Sequence, residues 1–200
     1  MNCMVVHLLR HGQPRRPGLL LGHTDEPPAD PSGGLGSSLP PWLAIRRIVS
    51  SDLQRARCGA RTLALAHDLP LVEDARWREL DFGLWDGLAP TDVPADVLAR
   101  FREDPEACKP PQGESYSELR QRVADALAAA DDAALVVTHA GAMRAAISVV
   151  TGLDHRQAWA FSLPYGALLS LRIWPADGMW GEVIGLVEGW GGSRHKEGEA

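Results

Sequence analysis

AALVVTHAGAMRAAISVV, residues 133–150, reads as strand, turn and helix in immediate succession. Ala133 to Val137 is apolar at every position instead of alternating, which is the pattern of a strand covered on both faces, as in a parallel sheet. Thr138-His139-Ala140-Gly141 ends it, and from about Ala142 to Val150 small and branched apolar residues continue as a helix. Near the start, Met4-Val5-Val6-His7-Leu8-Leu9 repeats the same kind of run and stops at Arg10-His11-Gly12, with His7 inside the strand in a structural role.

Working outward, Ile45 to Val49 is a further strand, and Leu53 to His67 is a helix with Ser51 or Asp52 as its N-cap. Leu71-Val72 forms a short strand, Arg76 to Gly87 is a loop rich in Trp and acidic residues, and Val93 to Arg102 is helical. Ser115-Tyr116-Ser117-Glu118 is a capping box, because a Ser N-cap and a Glu three residues on satisfy each other's free backbone donors. The helix it opens has Tyr116, Leu119, Val123, Leu127 and Ala130 on one face. Ala167 to Ile173 and Glu182 to Val187 are two strands paired across Pro175-Ala176-Asp177-Gly178, the first of them either a sheet edge or an interior strand. Short buried strands alternating with helices imply an α/β fold, a three-layer α/β/α sandwich with a mostly parallel central sheet. The expected organisation is a single domain over residues 1–188 and a disordered tail over 189–200, where Gly and charge dominate.

Composition narrows the function. Twenty basic against twenty-six acidic side chains give 20 − 26 = −6, which argues against a nucleic-acid partner. Eighteen of the basic residues are Arg, a bias that reflects either codon usage or bidentate anion binding. The longest apolar runs fall well short of the ~18 residues of a spanning helix, so no membrane partner is expected. Cys3, Cys58 and Cys108 are odd in number, far apart and without a C-x-x-C, as in reduced thiols. Together with an N-terminus that opens straight into a strand, this predicts a cytoplasmic protein; whether it is a monomer or homodimer stays open, since Ala167 to Ile173 is either an edge that pairs between subunits or an interior strand.

In open α/β sheets, ligands gather beyond the carboxyl ends of the strands. Two strands here end in a histidine, His11 after Leu9-Arg10 and His139 after Val137-Thr138, and the second leads into a helix whose first N–H groups favour an anion. Arg55 lies in the first turn of the helix after Ser51-Asp52. If the strands are neighbours, two histidines and two arginines converge, and the ligand that suits them is a phosphate. Gln13 to Pro41 is dense in Pro, Gly and charge, a length of loop that usually carries function. His11, His139 and Glu79 could instead hold a metal, but Arg10 and Arg55 would set a cation among fixed positive charges.

The ordered set Leu9-Arg10-His11-Gly12, Ser51-Asp52-Leu53-Gln54-Arg55-Ala56, Arg78-Glu79-Leu80-Asp81-Phe82-Gly83 and Thr138-His139-Ala140-Gly141 resembles the histidine phosphatase superfamily. Gly22-His23-Thr24-Asp25-Glu26-Pro27 and Pro111-Gln112-Gly113-Glu114-Ser115 are similar to segments of its bacterial branch that contains the α-ribazole phosphatases of cobalamin biosynthesis. The resemblance implies a phosphoglycerate mutase-like fold. It implies His11 as the nucleophile that takes the phosphoryl group and Glu79 as proton donor to the leaving oxygen. It also implies a phosphate pocket formed by Arg10, Arg55 and His139 with Gln13 and the Ala140 backbone. The implied partner is a small-molecule phosphate ester, with no metal and no cofactor. Arg15, Thr24 and Trp85 are candidate substrate contacts, and Trp77 and Trp85 flank Glu79 either as pocket lining or as packing.

The chain also departs from the family pattern. Many relatives have an acidic residue after R-H-G, then Thr or Ser, and a few residues on an Asn, where this chain has Gln13-Pro14-Arg15-Arg16-Pro17. Gln13 offers an amide there, and Arg15 or Arg16 either replaces a phosphate contact or is a solvated loop charge. Relatives often have Gly directly after the second histidine, where this chain has Ala140. No match to the arginine pair of phosphoglycerate mutases occurs between Thr91 and Pro111, which favours hydrolysis over mutase chemistry.

Overall fold

The computed structural model describes residues 3–189, so the tail expected from 189 lies, but for Gly189, outside the described residues. Six strands, β1 (Met4–Arg10), β2 (Arg47–Ser50), β3 (Leu71–Glu73), β4 (Ala134–Thr138), β5 (Leu168–Trp174) and β6 (Trp180–Val187), form one sheet in the order β3-β2-β4-β1-β5-β6. The pairings β2/β3, β2/β4 and β1/β4 are parallel, and β1/β5 and β5/β6 are antiparallel. Ala167 to Ile173 is therefore interior, and β6 is the edge.

The unbroken apolar runs have a direct cause. Val6 and Leu8 of β1 and Val136 of β4 pack on one face against Leu119, Val123 and Leu127 of α3 (Tyr116–Ala128) and Met143 and Ile147 of α4 (Ala140–Thr151). Leu9, Leu135 and Val137 point the other way, onto Ala56, Ala60 and Leu63 of α1 (Gln54–His67). A strand buried on both faces cannot alternate. Among the described residues no helix is long and apolar enough to cross a membrane.

Several boundaries move, each for a physical reason. α1 begins with Leu53 at its N-cap and no side-chain cap, because both expected caps are engaged elsewhere: Ser51 meets His139, and Asp52 pairs with Arg78. Asp25, from the long loop, accepts the Gln54 N–H instead at 2.6 Å. β2 starts at Arg47, where its register with β4 begins. α2 (Ala95–Glu103) starts after Pro94, and Val93 instead packs with Trp85 and Leu98. α4 follows His139 directly, two residues earlier than the sequence implied. The capping box at Ser115 and Glu118 is present, but α3 ends at Ala128, so Ala130 lies beyond it. A short helix, α5 (His155–Ala158), opens with its own Asp154/Gln157 box.

Candidate active site

Register builds the centre of the site. Arg10 of β1 is the parallel partner of Thr138 of β4, so the next residues, His11 and His139, leave the sheet side by side. Their rings approach edge to face, 4.9 Å between centroids, and both are buried. Gly12 turns the chain away with no room for a side chain, since a Cβ there would meet the Gly33 oxygen at 2.3 Å. Gly33, at φ +90°, in turn presses on the backbone of Gly59 in α1, so three glycines pin the long loop between β1 and α1.

The hydrogen bonds assign the imidazole tautomers. His11 Nδ1 lies 2.6 Å from the Gly12 carbonyl, which can only accept, so Nδ1 carries the proton and Nε2 keeps its lone pair. Arg55 Nε donates to His139 Nδ1 at 3.3 Å, and His139 Nε2 then donates to Ser51 Oγ at 2.9 Å. Burial, followed by the nearby Arg55 and Arg10 charges, holds His11 well below the ordinary histidine value. Burial and Arg55 do the same to His139. Burial thus favours the neutral ring in both, the form in which His11 is a nucleophile and in which His139 Nδ1 can accept from Arg55.

Arg55 is fully buried and largely committed. It donates through Nη1 to the Thr24 carbonyl and through Nη2 to the carbonyls of Leu21 and Gly22, which leaves one Nη1 N–H without a partner among the described residues. It therefore supplies fixed charge and one further donor, and it ties the loop at Leu21 to Thr24 onto the histidines. Asp86 holds that loop from the other side by accepting the N–H groups of Gly22, His23 and Thr24. Arg10 donates to the Leu163 carbonyl at 2.6 Å, lies over the Tyr165 ring at 4.1 Å and keeps a buried Nε with no acceptor.

Glu79 comes from the segment between β3 and α2. Its Oε2 accepts the Gly141 N–H at 3.0 Å, at the start of α4, and its Oε1 accepts the Leu80 N–H at 2.9 Å. Arg122 of α3 fixes that segment by donating to the carbonyls of Arg76, Arg78 and Glu79 and by pairing with Glu114. Glu79, Arg10, Ala140 and Gly141 then form one end of a cavity of about 780 Å³.

His11, His139, Arg10, Arg55, Glu79 and Ala140 are thus together. Gln13 is exposed, and its carbonyl accepts the Ala29 N–H; Arg15 is exposed on the same loop. Arg16 pairs with the buried Glu26 and so has a partner in the loop itself. Thr24 contributes its carbonyl to Arg55. Trp85 needs correcting as a substrate contact: it is buried behind the cavity, edge to face with Phe101, and Phe101 of α2 lines the wall instead. Trp77 is core, 1% exposed. Tyr165, Ser51, Asp86, Arg122 and Arg144 join the site without having been singled out. Only Arg144 carried a local signal, one helical turn after Ala140.

Two buried imidazoles under fixed guanidinium charge, beside a carboxyl group at one end of a cavity, bring together a nucleophile, anion-binding charge and an acid, a set whose chemistry suits a phosphate ester. The profile of the histidine phosphatase superfamily (branch 1) matches residues 6–180, and the chain belongs to that family. It is 35% identical over 120 residues to the "Probable phosphoglycerate mutase GpmB" of Klebsiella pneumoniae, covering 56% of this chain and 55% of that one. It is 30% identical over 122 residues to phosphoserine phosphatase 1 of Hydrogenobacter thermophilus, with coverages of 57% and 58%. The chain spans just over half the length of these curated relatives. The mycobacterial glucosyl-3-phosphoglycerate phosphatase superposes with a TM-score of 0.72 at 25% identity, over 96% of this chain and 100% of that one. A candidate α-ribazole-5′-phosphate phosphatase of Escherichia coli gives 0.75 at 23% identity, over 92% and 96%, a likeness of fold.

Proposed function

We propose that the chain is a phosphomonoesterase that hydrolyses a small phosphorylated metabolite through phosphohistidine at His11. The observation that carries this reading is the 2.6 Å contact of His11 Nδ1 with the Gly12 carbonyl, because a proton held there leaves Nε2 as the attacking atom. Nε2 adds to phosphorus as the ester P–O bond breaks, and the Glu79 carboxyl delivers its proton to the leaving oxygen. Water then attacks the phosphohistidine and gives a proton to the Glu79 carboxylate. The P–N bond breaks, orthophosphate leaves and the lone pair returns to Nε2. Arg10, the remaining Arg55 N–H and the Ala140 N–H at the start of α4 surround the oxygens and offset the charge that develops there, while His139 packs against His11 and accepts from Arg55. Those guanidinium groups supply the positive charge that a metal provides in other phosphoryl-transfer sites, so the reading includes no metal or cofactor.

Three free cysteines support a cytoplasmic setting. Within the substrate class, α-ribazole 5′-phosphate and other nucleotide or sugar phosphates are the compounds the sequence resemblance favours. Transfer to a second hydroxyl instead of water is the reading that the Klebsiella relative's name favours, and a product other than orthophosphate would identify it.

The test is hydrolysis of p-nitrophenyl phosphate in excess EDTA by wild type and His11→Ala side by side. Turnover that survives chelation and falls at least ~10³-fold in the variant is expected. Turnover unaffected by the substitution would end the proposal, and EDTA-sensitive turnover would replace it with a metal site. Glu79→Gln should slow alkyl phosphates by ~10²-fold or more and p-nitrophenyl phosphate far less, since that leaving group needs no proton.

A further inference from the structure

The cavity beyond Glu79 is unequal in charge. Phe82, Phe101, Leu119 and Trp159 give it apolar surface, four arginines line it, and Glu79 is the one acidic residue among the described lining residues. Arg102 is exposed at the mouth, and Arg156 turns to Glu103, whose carbonyl accepts from it at 3.3 Å. Arg10 belongs to the phosphate end. Arg144 is different. Its guanidinium lies over the Trp159 ring at 3.9 Å, its buried Nε has no acceptor among the described residues, and Glu79 attracts it through charge without a direct ion pair. A partly desolvated cation with unused N–H groups is costly unless an anion meets it.

Arg144 also has a defined reach. It follows Ala140 by four residues on the same face of α4, and Glu79 rests on the Gly141 N–H at the start of that helix. The Arg144 side chain thus enters the same cavity as Glu79, close enough for the two charges to attract. It shares that cavity with the carboxyl group placed to protonate a leaving oxygen. A single planar fork can hold a carboxylate through two parallel N–H···O bonds.

Resting on the phosphatase reading above, we infer that the leaving group of the natural substrate carries a carboxylate on a ring-sized apolar body. Arg144 takes the carboxylate, and Phe101, Leu119 and Trp159 cover the body. Arg144 is thus a specificity-determining residue and does not touch the transferred phosphoryl group.

The test compares phenyl phosphate, 3- and 4-carboxyphenyl phosphate and 4-(aminomethyl)phenyl phosphate. For wild type, kcat/KM of the better carboxylated ester should exceed that of phenyl phosphate about tenfold or more, and the aminomethyl ester should be the poorest. Arg144→Met should bring the carboxyl-to-phenyl ratio close to one, and Arg144→Lys should keep part of it. Calorimetric binding of the same esters to His11→Ala supplies a readout independent of turnover. A ratio of one or below in wild type, or one that Arg144→Met leaves unmoved, overturns the assignment. Binding preference without turnover would remove the phosphatase reading and keep the Arg144 site, whereas turnover without preference in either assay would do the reverse.

Discussion

Gly141 has no side chain because Glu79 occupies the space: a Cβ there would lie 1.9 Å from Oε1. The neighbour is the free end of a flexible side chain, so Gly141→Ala should move the carboxyl group without unfolding the protein. The expected result is a ~10- to 10²-fold loss on alkyl phosphates with a melting temperature within a few degrees of wild type. An unchanged rate would show that the carboxyl group does not act from the start of α4. Gly12→Ala meets the backbone oxygen of Gly33 instead and should be strongly destabilising. The sequence exposes Gly141 as part of T-H-A-G, but its reason lies in a residue sixty-two positions earlier in the chain. Histidines at strand ends are legible because a strand's direction and end are local. Trp85 misled for the matching reason, since proximity to Glu79 along the chain says nothing about which face of the intervening turn meets the cavity.

Arg122, on the second turn of α3, shows how an element does chemistry at a distance. Its three carbonyl contacts hold the Arg76 to Glu79 segment, so Arg122→Met should lower kcat more than it raises KM and should do so most with substrates that need a proton. Equal losses on p-nitrophenyl and alkyl phosphates would assign it to folding alone. At the head of the same helix, Ser115→Ala removes one half of the capping box and should cost about 1 kcal/mol in urea unfolding, with the catalytic constants little changed. That box was readable because both partners lie within four residues. The start of α1 was not, because Ser51 and Asp52, both good caps, are claimed by His139 and Arg78 from remote parts of the chain. A cap is predictable only where nothing distant competes for the side chain.

For the whole molecule, three histidines whose burial disfavours the charged ring set the response to acid. His7, His11 and His139 all sit below the ordinary value, with burial the first cause in each. The unfolded chain takes up protons at these positions near pH 6.5 and the folded chain does not, so stability is full above about pH 6.5 and is lost as the pH falls toward the folded values. Urea midpoints should therefore drop between pH 7 and pH 5, a range in which carboxylates change little, and His139→Gln should flatten the slope. A level profile would show that the rings are not neutral. The sheet order was legible only in part. Two-sided burial made the parallel core readable, but nothing local says that β1 lies between β4 and β5. That placement has a consequence for synthesis. β1 is made first, yet its two neighbours follow more than a hundred and a hundred and fifty residues later, and the Arg10 side chain and backbone bond to Leu163 and Ala167. A growing chain thus holds an unpaired apolar strand until β5 has left the ribosome, and ribosome-bound fragments that stop short of Leu168 should bind chaperones and remain sensitive to protease where longer ones do not.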